Sequence, residues 1–520
     1  MPLTRRSFLI GSSAGAALAL GGARLAEARG LVTDPLLDDV VTRALAAAKK
    51  AGATYADVRI HRRRAENLSC REERVQNVSS TTTYGVGVRV IAGGAWGYAA
   101  TARVGPKEAE DAARRAVEVG KANARWVARP IELAPVPANV DVWQTPLVRD
   151  PFKVPLEDKI GFLLALNADV LKAKGVRFAN SSLTTQLEWK LLATSDGAYI
   201  EQAITRIQPT LVATAAEGGD FQTVASPTPP RQAGWEYVAD SPMLAGARGI
   251  GEQAVEKLRA PRVTPGKRDL VLAPSNLYLT IHESVGHPTE LDRALGYEAN
   301  LAGTSFATVD KLGKLTYAAP HVTLYADRTT PGGLATCGYD DEGVKTQKWY
   351  LIKNGLFVGY QTTREQAGWI GEKASRGTCY AEDYAGIPFQ RMPNVSLAPG
   401  PRARSLDDLV AATDDGVLVS GRGSWSIDHQ RYNFQFGGQL FWEIKKGKRA
   451  RMVRSVAYQA NSLDFWRSCD LIGGADSFEL WGTMMDGKGE PTQSNQVGHG
   501  CPPARFRGVQ ILDTDERRGA

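Results

Sequence analysis

The segment between residues 269 and 288 restricts the fold of this chain more than any other. Residues 269–273 (Asp-Leu-Val-Leu-Ala) form the apolar run of a buried strand, and residues 274–276 (Pro-Ser-Asn) are of the types that begin helices. The predicted helix carries His282 and His287. On a regular helix these two positions lie about 140° apart and face different directions. Both imidazoles can therefore approach one point only if the helix widens or breaks between them.

This pair of histidines is compatible with a metal site. Gly286 permits a distorted helix, and Pro288 cannot continue the hydrogen-bond ladder inward. Neutral imidazoles are good zinc ligands, and catalytic zinc usually keeps three protein ligands and a water. Glu283 follows the first histidine and is placed to take a proton from that water. The alternative is two hydrogen-bonded core histidines beside a solvated glutamate, and the spacing alone does not separate these interpretations.

The N-terminus has the pattern of an export signal. Arg5 and Arg6 precede Phe-Leu and a short apolar stretch, and residues 26–28 (Ala-Glu-Ala) offer a small-x-small cleavage site. This pattern predicts a twin-arginine signal peptide over residues 1–28 and a periplasmic or extracellular protein. A chance arginine pair and a membrane anchor are the alternatives, but the stretch is short for a span of ~20 residues. No later segment is apolar for long enough to predict a stable membrane span.

The rest of the chain predicts an α+β protein in three parts. Helical patterns at residues 35–51 and 107–123 flank alternating strands, with a hairpin turn at Gly93-Gly94, and define an N-terminal α+β domain over residues 29–130. Prolines near residue 130 and the Pro-rich stretch at 226–230 delimit a middle region, 131–235. Turn-rich, mostly β patterns after a helix near 242–260 predict a C-terminal domain over residues 236–515.

Composition excludes some functional classes. A chain of 520 residues is too long to fold around a single hydrophobic core, which indicates more than one domain. The net charge of +7 is thinly spread, with no basic run interleaved with aromatic residues, so nucleic acid is not an expected partner. The 5 cysteines show no CxxC spacing, and their odd number leaves at least one thiol unpaired.

Several motifs in order resemble the TldD/PmbA family of metallopeptidases. Residues 282–287 (His-Glu-Ser-Val-Gly-His) are similar to the His-Glu-Ala-Val-Gly-His motif of the active TldD branch. The resemblance extends over nearly all of residues 35–515. The other matching segments are Glu290 and Asp292, residues 340–343 (Asp-Asp-Glu-Gly), 351–355 (Leu-Ile-Lys-Asn-Gly), 391–394 (Arg-Met-Pro-Asn), 487–488 (Gly-Lys) and 497–500 (Val-Gly-His-Gly).

The resemblance implies a fold and an activity. It implies an N-terminal α/β region with antiparallel strands, a middle region, and a β-rich C-terminal domain that carries the metal-binding helix. It also implies a zinc-dependent peptidase acting on unfolded or peptide-like substrates that are bound in extended form. Family members form dimers, so a homodimer or a heterodimer with a PmbA-like chain is expected.

The sequence departs from the family pattern at the third zinc ligand. The family has a cysteine directly before Gly-Lys near the C-terminus, and this chain has Asp486 there. A carboxylate can ligate zinc, so we expect His282, His287 and Asp486 to hold the metal and Glu283 to act as the general base. Cys501 is the alternative third ligand. The rival interpretation is a non-catalytic partner or peptide-binding subunit with an impaired metal site.

Three other features have weaker interpretations. His61 falls on the polar face of a predicted strand and is expected to be solvated. Residues 340–342 (Asp-Asp-Glu) predict either a site for a cation or a peptide amine, or a solvated turn. His499 is close in sequence to Cys501 and either borders the site or packs in a turn.

Overall fold

The computed structural model describes residues 35–515, so the predicted signal peptide lies outside the described residues. The first half of the chain forms one seven-stranded sheet in the order β3-β2-β1-β5-β6-β4, with β7 on β6. Its neighbours are antiparallel except for β4 and β6, which are parallel. The strands are β1 (Tyr55–Arg71), β2 (Arg74–Ala92), β3 (Ala95–Thr101), β4 (Val140–Gln144), β5 (Val176–Thr194), β6 (Tyr199–Glu217) and β7 (Asp220–Ala225).

Helices cover one face of this sheet. The helices in this half are α1 (Pro35–Ala51), α2 (Pro106–Asn123), α3 (Leu156–Val170), α4 (Glu236–Ala239) and α5 (Met243–Arg259). α1 and α2 bury their apolar stripes against β1 and β2, where Val58 and Val88 are fully enclosed. α3 and α5 pack on β5 and β6 around Leu183 and Ile207. One sheet thus runs through both the N-terminal and the middle regions of the chain.

The opposite face of the sheet is covered by the C-terminal domain. The alternating polar residues Asp57, Arg59 and His61 of β1 are each no more than 2% exposed. Arg59 contacts Asp341 of the C-terminal domain at 3.8 Å, and His61 lies 3.7 Å from Glu188 on the neighbouring strand. The expectation of a solvated His61 is therefore wrong. Alternation predicts two faces of different polarity, but it cannot tell that a second domain covers the polar one.

The C-terminal domain is built on a second seven-stranded sheet, in the order β15-β8-β22-β18-β16-β17 with β19 on β22. A four-stranded sheet, β11-β10-β9-β14, and the hairpin β20-β21 pack around it. These strands are β8 (Gly266–Leu272), β9 (Leu324–Asp327), β10 (Lys348–Lys353), β11 (Leu356–Phe357), β12 (Cys379–Tyr380), β13 (Phe389–Gln390), β14 (Val395–Leu397), β15 (Asp415–Ile427), β16 (Asn433–Lys445), β17 (Lys448–Val453), β18 (Val456–Asn461), β19 (Cys469–Ile472), β20 (Glu479–Lys488), β21 (Gln493–Cys501) and β22 (Ala504–Asp513).

The predicted fold class is confirmed: the protein is α+β with a β-rich C-terminal domain. The helices of this domain are short, because their role is to connect and cap strands. They are α6 (Pro274–Ile281), α7 (Leu291–Ala294), α8 (Arg364–Ala367), α9 (Leu406–Ala411) and α10 (Ser462–Arg467). Over residues 35–515, the helices are too short or too polar to cross a bilayer.

Candidate metal centre

The helix that carries the two histidines widens between them. α6 begins at Pro274, directly after β8, and ends at Ile281, and the chain continues as a π-helical turn over His282–Gly286. The His287 N–H donates to the His282 carbonyl, a bond that spans five positions. The two imidazole rings therefore lie next to each other in an edge-to-face arrangement, with centroids 4.6 Å apart and planes 78° apart. This is the distortion that the spacing of the histidines requires.

The π-helical turn requires a small residue at Gly286. Its φ is −56°, an ordinary helical value that any residue adopts. A Cβ at this position would lie only 2.6 Å from Sδ of Met392 and 2.8 Å from its Cε. The glycine is required because Met392 packs directly on the turn, and not because the backbone needs special freedom.

Asp486 reaches the histidines from the hairpin β20-β21. The register of this hairpin shifts between Thr483 and Asp486, and such a bulge re-aims the side chains that follow it. The Asp486 Oδ1 atom lies 3.5 Å from Nε2 of His282 and 3.5 Å from Nε2 of His287. The three potential ligand atoms lie within 4.8 Å of one another. All three residues are buried.

A chain of hydrogen bonds fixes the tautomer of His282. The Nδ1 atom of His499 lies 2.9 Å from the Val395 carbonyl, which can only accept, so this nitrogen carries the proton. The His499 Nε2 atom then accepts from Nδ1 of His282 at 2.8 Å. In neutral His282 the Nε2 atom therefore carries the lone pair, directed toward Asp486 and His287.

Glu290 orients His287 in the same way. Its Oε2 atom lies 3.0 Å from His287 Nδ1, which donates, so that the Nε2 lone pair also faces Asp486. Glu290 is itself held by Arg293 at 2.9 Å and by Lys488 at 3.4 Å. Burial raises the pKa of Glu290, but Lys488, His287 and Arg293 outweigh this effect and lower its pKa well below the usual range.

The charge states suit the binding of a cation. Burial raises the pKa of Asp486, but His287, His282 and Arg391 outweigh it, so the pKa lies well below its usual range and the carboxylate is ionised. Burial together with Arg431 lowers the pKa of His287 to about 4. His282 differs: burial lowers its pKa, but the hydrogen bond and charge of Asp486 outweigh burial and raise it, so a cation at Nε2 competes with a proton there.

Arg391 holds Asp486 from the side away from the histidines. Its Nη2 atom donates to the Asp486 backbone carbonyl and lies 3.3 Å from Oδ2, so Oδ1 remains directed at the imidazoles. Its Nη1 atom donates to the Gln493 carbonyl at 2.8 Å. Asn394, three residues further on, accepts from the Gly498 N–H at 3.1 Å. The segment 391–394 thus fixes both strands of the hairpin.

Glu283 is buried and forms an ion pair with Arg431 at 2.5 Å. Arg431 lies in the turn between β15 and β16, far from Glu283 in sequence, and no motif marks it. Sequence reasoning therefore missed this partner. His499 and Arg391 lie in segments that the family resemblance had singled out, but their partners could not be read from sequence.

Cys501 lies outside the cluster of His282, His287 and Asp486. It ends β21, where its thiol donates to the Pro274 carbonyl at 3.7 Å at the start of α6. Burial and the charge of Glu479 raise the pKa of this thiol well above its usual range, which favours the neutral form.

The acidic turn at residues 340–342 is a buried clamp between the two halves of the protein. Its three residues are each at most 3% exposed, so the interpretation as a solvated turn is wrong. Asp341 binds Lys190 of β5 at 3.0 Å, and Glu342 binds Arg89 of β2 at 3.3 Å. Asp340 accepts from three backbone N–H groups, and burial together with Glu342 raises its pKa to about 7.

The donor set fits a zinc ion. Two imidazole nitrogens with free lone pairs and one ionised carboxylate oxygen are the ligand types of catalytic zinc, and three protein ligands leave a position for water. Each ligand has a hydrogen-bonded partner behind it, as metal ligands generally do: His499 for His282, Glu290 for His287 and Arg391 for Asp486.

Three family descriptions match successive parts of the chain. They are PmbA/TldA metallopeptidase domain 1 at residues 56–120, the central domain at residues 149–260 and the C-terminal domain at residues 265–513. Together they span most of the described chain and define the protein as a metallopeptidase. The chain belongs to the PmbA/TldD family.

Individual proteins agree with this assignment. A metalloprotease of Methanocaldococcus jannaschii is 27% identical over 86% of this chain and 94% of its own length. A zinc metalloprotease TldD homologue of Saccharolobus solfataricus is 22% identical over 89% of this chain and 98% of its own. The crystal structure of TldE from Thermococcus kodakarensis shares the fold, with a TM-score of 0.64 and 19% identity over 90% of this chain and 98% of that one.

Proposed function

We propose that this metallopeptidase uses zinc to hydrolyse peptide-like or unfolded substrates bound in extended form. The observation that carries the proposal is the convergence of His282 Nε2, His287 Nε2 and Asp486 Oδ1 on one point beside the buried Glu283. A relative over nearly the whole chain is named a zinc metalloprotease. An extended peptide can be recognised through its backbone, which suits substrates with little sequence preference.

The residues have distinct roles in this proposal. His282, His287 and Asp486 hold the metal. When bound, zinc supplies a Lewis acid that polarises the scissile carbonyl and lowers the pKa of water. Glu283 takes a proton from the attacking water at Oε1 and delivers it to the leaving amine. Arg431 binds Oε2, so Oε1 is the oxygen assigned to this proton.

The decisive experiment separates metal binding from turnover. Glu283→Gln keeps the shape of the side chain but cannot act as a base, so we expect full zinc content and a 10²–10⁴-fold loss of peptidase activity. Glu252→Gln, in an exposed ion pair on α5, is the matched control and should behave as the wild type. If the Glu283→Gln variant were nearly as active as the wild type, the proposed mechanism would be wrong.

The rival function is a non-catalytic partner or peptide-binding subunit. The intact set of two imidazoles, a carboxylate and a glutamate favours the enzyme. Zinc analysis of the purified protein, with peptide hydrolysis measured before and after chelation, distinguishes the two. A protein that holds a full equivalent of zinc and hydrolyses no peptide would support the rival.

Export and assembly complete the proposal. Residues 1–28 direct the folded protein out of the cytoplasm by the twin-arginine route, and the mature chain works as a homodimer or with a PmbA-like chain. A reporter fused to residues 1–40 should be exported, and replacing Arg5 and Arg6 by lysine should block this export. Sedimentation of the purified chain, alone and with a PmbA-like chain, tests the assembly.

A further inference from the structure

A cavity of about 620 Å³ lies between the first sheet and the C-terminal domain. Its walls come from β2 and β3, the segment after α7, helix α8, and the turn between β20 and β21. This volume is in the range of sites that bind small ligands or side chains. The zinc chemistry proposed above uses none of the residues that line it.

Carboxylates dominate the polar lining of this cavity. Among residues 35–515, Arg89 is the only basic residue in the wall, and it already forms ion pairs with Asp57 at 2.8 Å and Glu342 at 3.3 Å. Carboxylates therefore outnumber basic side chains in the lining. The acidic residues that line it are Asp292, Glu298, Glu342, Glu365 and Glu490.

Two of these carboxylates are held by neutral donors. Glu298, which is 8% exposed, accepts from the Gly489 N–H at 3.3 Å, and Glu365 accepts from the Trp96 indole at 2.8 Å. Burial raises the pKa of both carboxyl groups. Lys488 acts against this rise at Glu298, and Arg89 and Arg129 act against it at Glu365, but burial outweighs these charges. Because the desolvation of both carboxylates is not fully offset, an incoming positive charge is stabilised here.

Aromatic rings complete the wall. Trp369 stacks on Tyr297 with centroids 5.7 Å apart, and the Arg129 guanidinium lies 4.5 Å from the Trp369 ring. Arg89 lies 4.3 Å from the ring of Trp96. The faces of both tryptophans therefore already accept guanidinium groups, and a ring face beside a carboxylate is the chemistry that recognises organic cations.

The cavity is connected to the proposed metal centre. Asp292 in its wall accepts from Lys488 at 2.8 Å, and Lys488 lies 3.4 Å from Glu290, the hydrogen-bond partner of His287. The wall residues Gly489 and Glu490 directly follow the strand that carries Asp486. A group bound in the cavity is thus close to the chain segments that position the proposed metal ligands His287 and Asp486.

We propose that this cavity is a subsite for a positively charged group of the substrate, either a lysine or arginine side chain or a terminal ammonium group. The inference rests on the proposed function only in assuming that the bound group belongs to a peptide. The recognition of charge is measured by binding, without turnover.

The test compares matched probes on the zinc-loaded full chain by calorimetry. N-acetyl-arginine amide and its neutral analogue N-acetyl-citrulline amide report on a side chain, and alanine amide with and without an N-acetyl group reports on a terminal amine. We expect a charged probe to bind at least about tenfold more tightly than its neutral partner. Glu298→Gln with Glu365→Gln should abolish this preference, and Glu252→Gln should retain it.

Equal affinity for charged and neutral members of both pairs would overturn the inference, and so would a preference that survives the double substitution. If the double variant unfolds at a lower temperature, the single Glu298→Gln variant should still lower the preference. Wild-type protein that prefers the charged probes but hydrolyses no peptide would remove the proposed function alone. Peptide hydrolysis without any charge preference would remove this inference alone.

Discussion

The Nη1 atom of Arg431 lies 2.5 Å from Oε2 of Glu283, although 148 positions separate the two residues in sequence. Arg431 has a φ of 63°, which is uncommon for a residue other than glycine. Its backbone is held there because its N–H donates to the Asp428 carbonyl and its carbonyl accepts from Ser462. The turn between β15 and β16 thus delivers one guanidinium to the proposed general base.

Removing that guanidinium should impair turnover more than binding. In Arg431→Ala we expect kcat to fall about 10–100-fold, because Glu283 loses the partner that orients it. KM and zinc content should change little, and Arg431→Lys should recover part of the loss. Steady-state kinetics and elemental analysis check this. Unchanged kcat in the alanine variant would show that the ion pair has no part in orienting the base.

The third ligand can be tested at Asp486 and Cys501. Asp486→Ala should lose most of its zinc, because two imidazoles alone hold catalytic zinc weakly. Cys501→Ala is the matched control and should keep a full equivalent, since its thiol contacts the Pro274 carbonyl and not the cluster. Asp486→Cys should tighten zinc binding, because thiolate is the softer ligand. Full zinc in Asp486→Ala with none in Cys501→Ala would reverse the assignment.

Gly286→Ala should destabilise the protein by about 1–3 kcal/mol, because the new methyl group would overlap Met392. It should also weaken zinc binding, since the shift needed to relieve the overlap moves His287. Thermal unfolding measures the first effect. Gly249→Ala is the control: it lies within α5, no atom of residues 35–515 lies within 4 Å of the added Cβ, and the change should be neutral or slightly stabilising. Equal unfolding temperatures in the two variants would contradict the packing argument.

His61 should make the protein less stable in mild acid. Burial, followed by the charge of Lys190, lowers its pKa from 6.5 to about 4. Below pH 6.5 the unfolded chain binds a proton that the folded protein excludes, so stability falls as the pH falls from about 6.5 toward 4. At pH 5 this contribution is roughly 2 kcal/mol.

Denaturant unfolding at pH 7 and pH 5 measures the dependence on His61. His61→Gln should reduce the difference between the two pH values, and replacement of the exposed His321 by glutamine should leave it as in the wild type. A difference that is the same in His61→Gln and the wild type would show that other groups cause it.

Local pattern predicted much of the fold and part of the candidate site. The start of α6 at Pro274 and the widening between His282 and His287 follow from residue type and spacing, because both are properties of a single segment. Asp486 was found only through its place in the family motif. Nothing local shows that a bulge in the hairpin would aim it at the histidines.

The remaining features depend on contacts between distant segments. His499 lies on β21 and Arg431 in the turn between β15 and β16, and contacts at such separation leave no periodic signal in one sequence. The burial of His61 could not be predicted for the same reason, since the surface that covers it belongs to another domain. Residues 340–342 were singled out for their charge, but their partners Lys190 and Arg89 lie on the first sheet.

That cross-domain clamp has a consequence for any attempt to excise the metal-bearing half of the protein. A fragment beginning at Gly266 would lack Lys190 and Arg89, the cations that neutralise Asp341 and Glu342. Their carboxylates would then repel one another on a newly wetted surface. The same turn also binds the Cys379 N–H of β12, which pairs with β13 directly before the segment 391–394 behind Asp486. The geometry of the proposed metal centre therefore depends on the first sheet, whose described residues include none of the three proposed ligands, and the two halves should unfold as one cooperative unit.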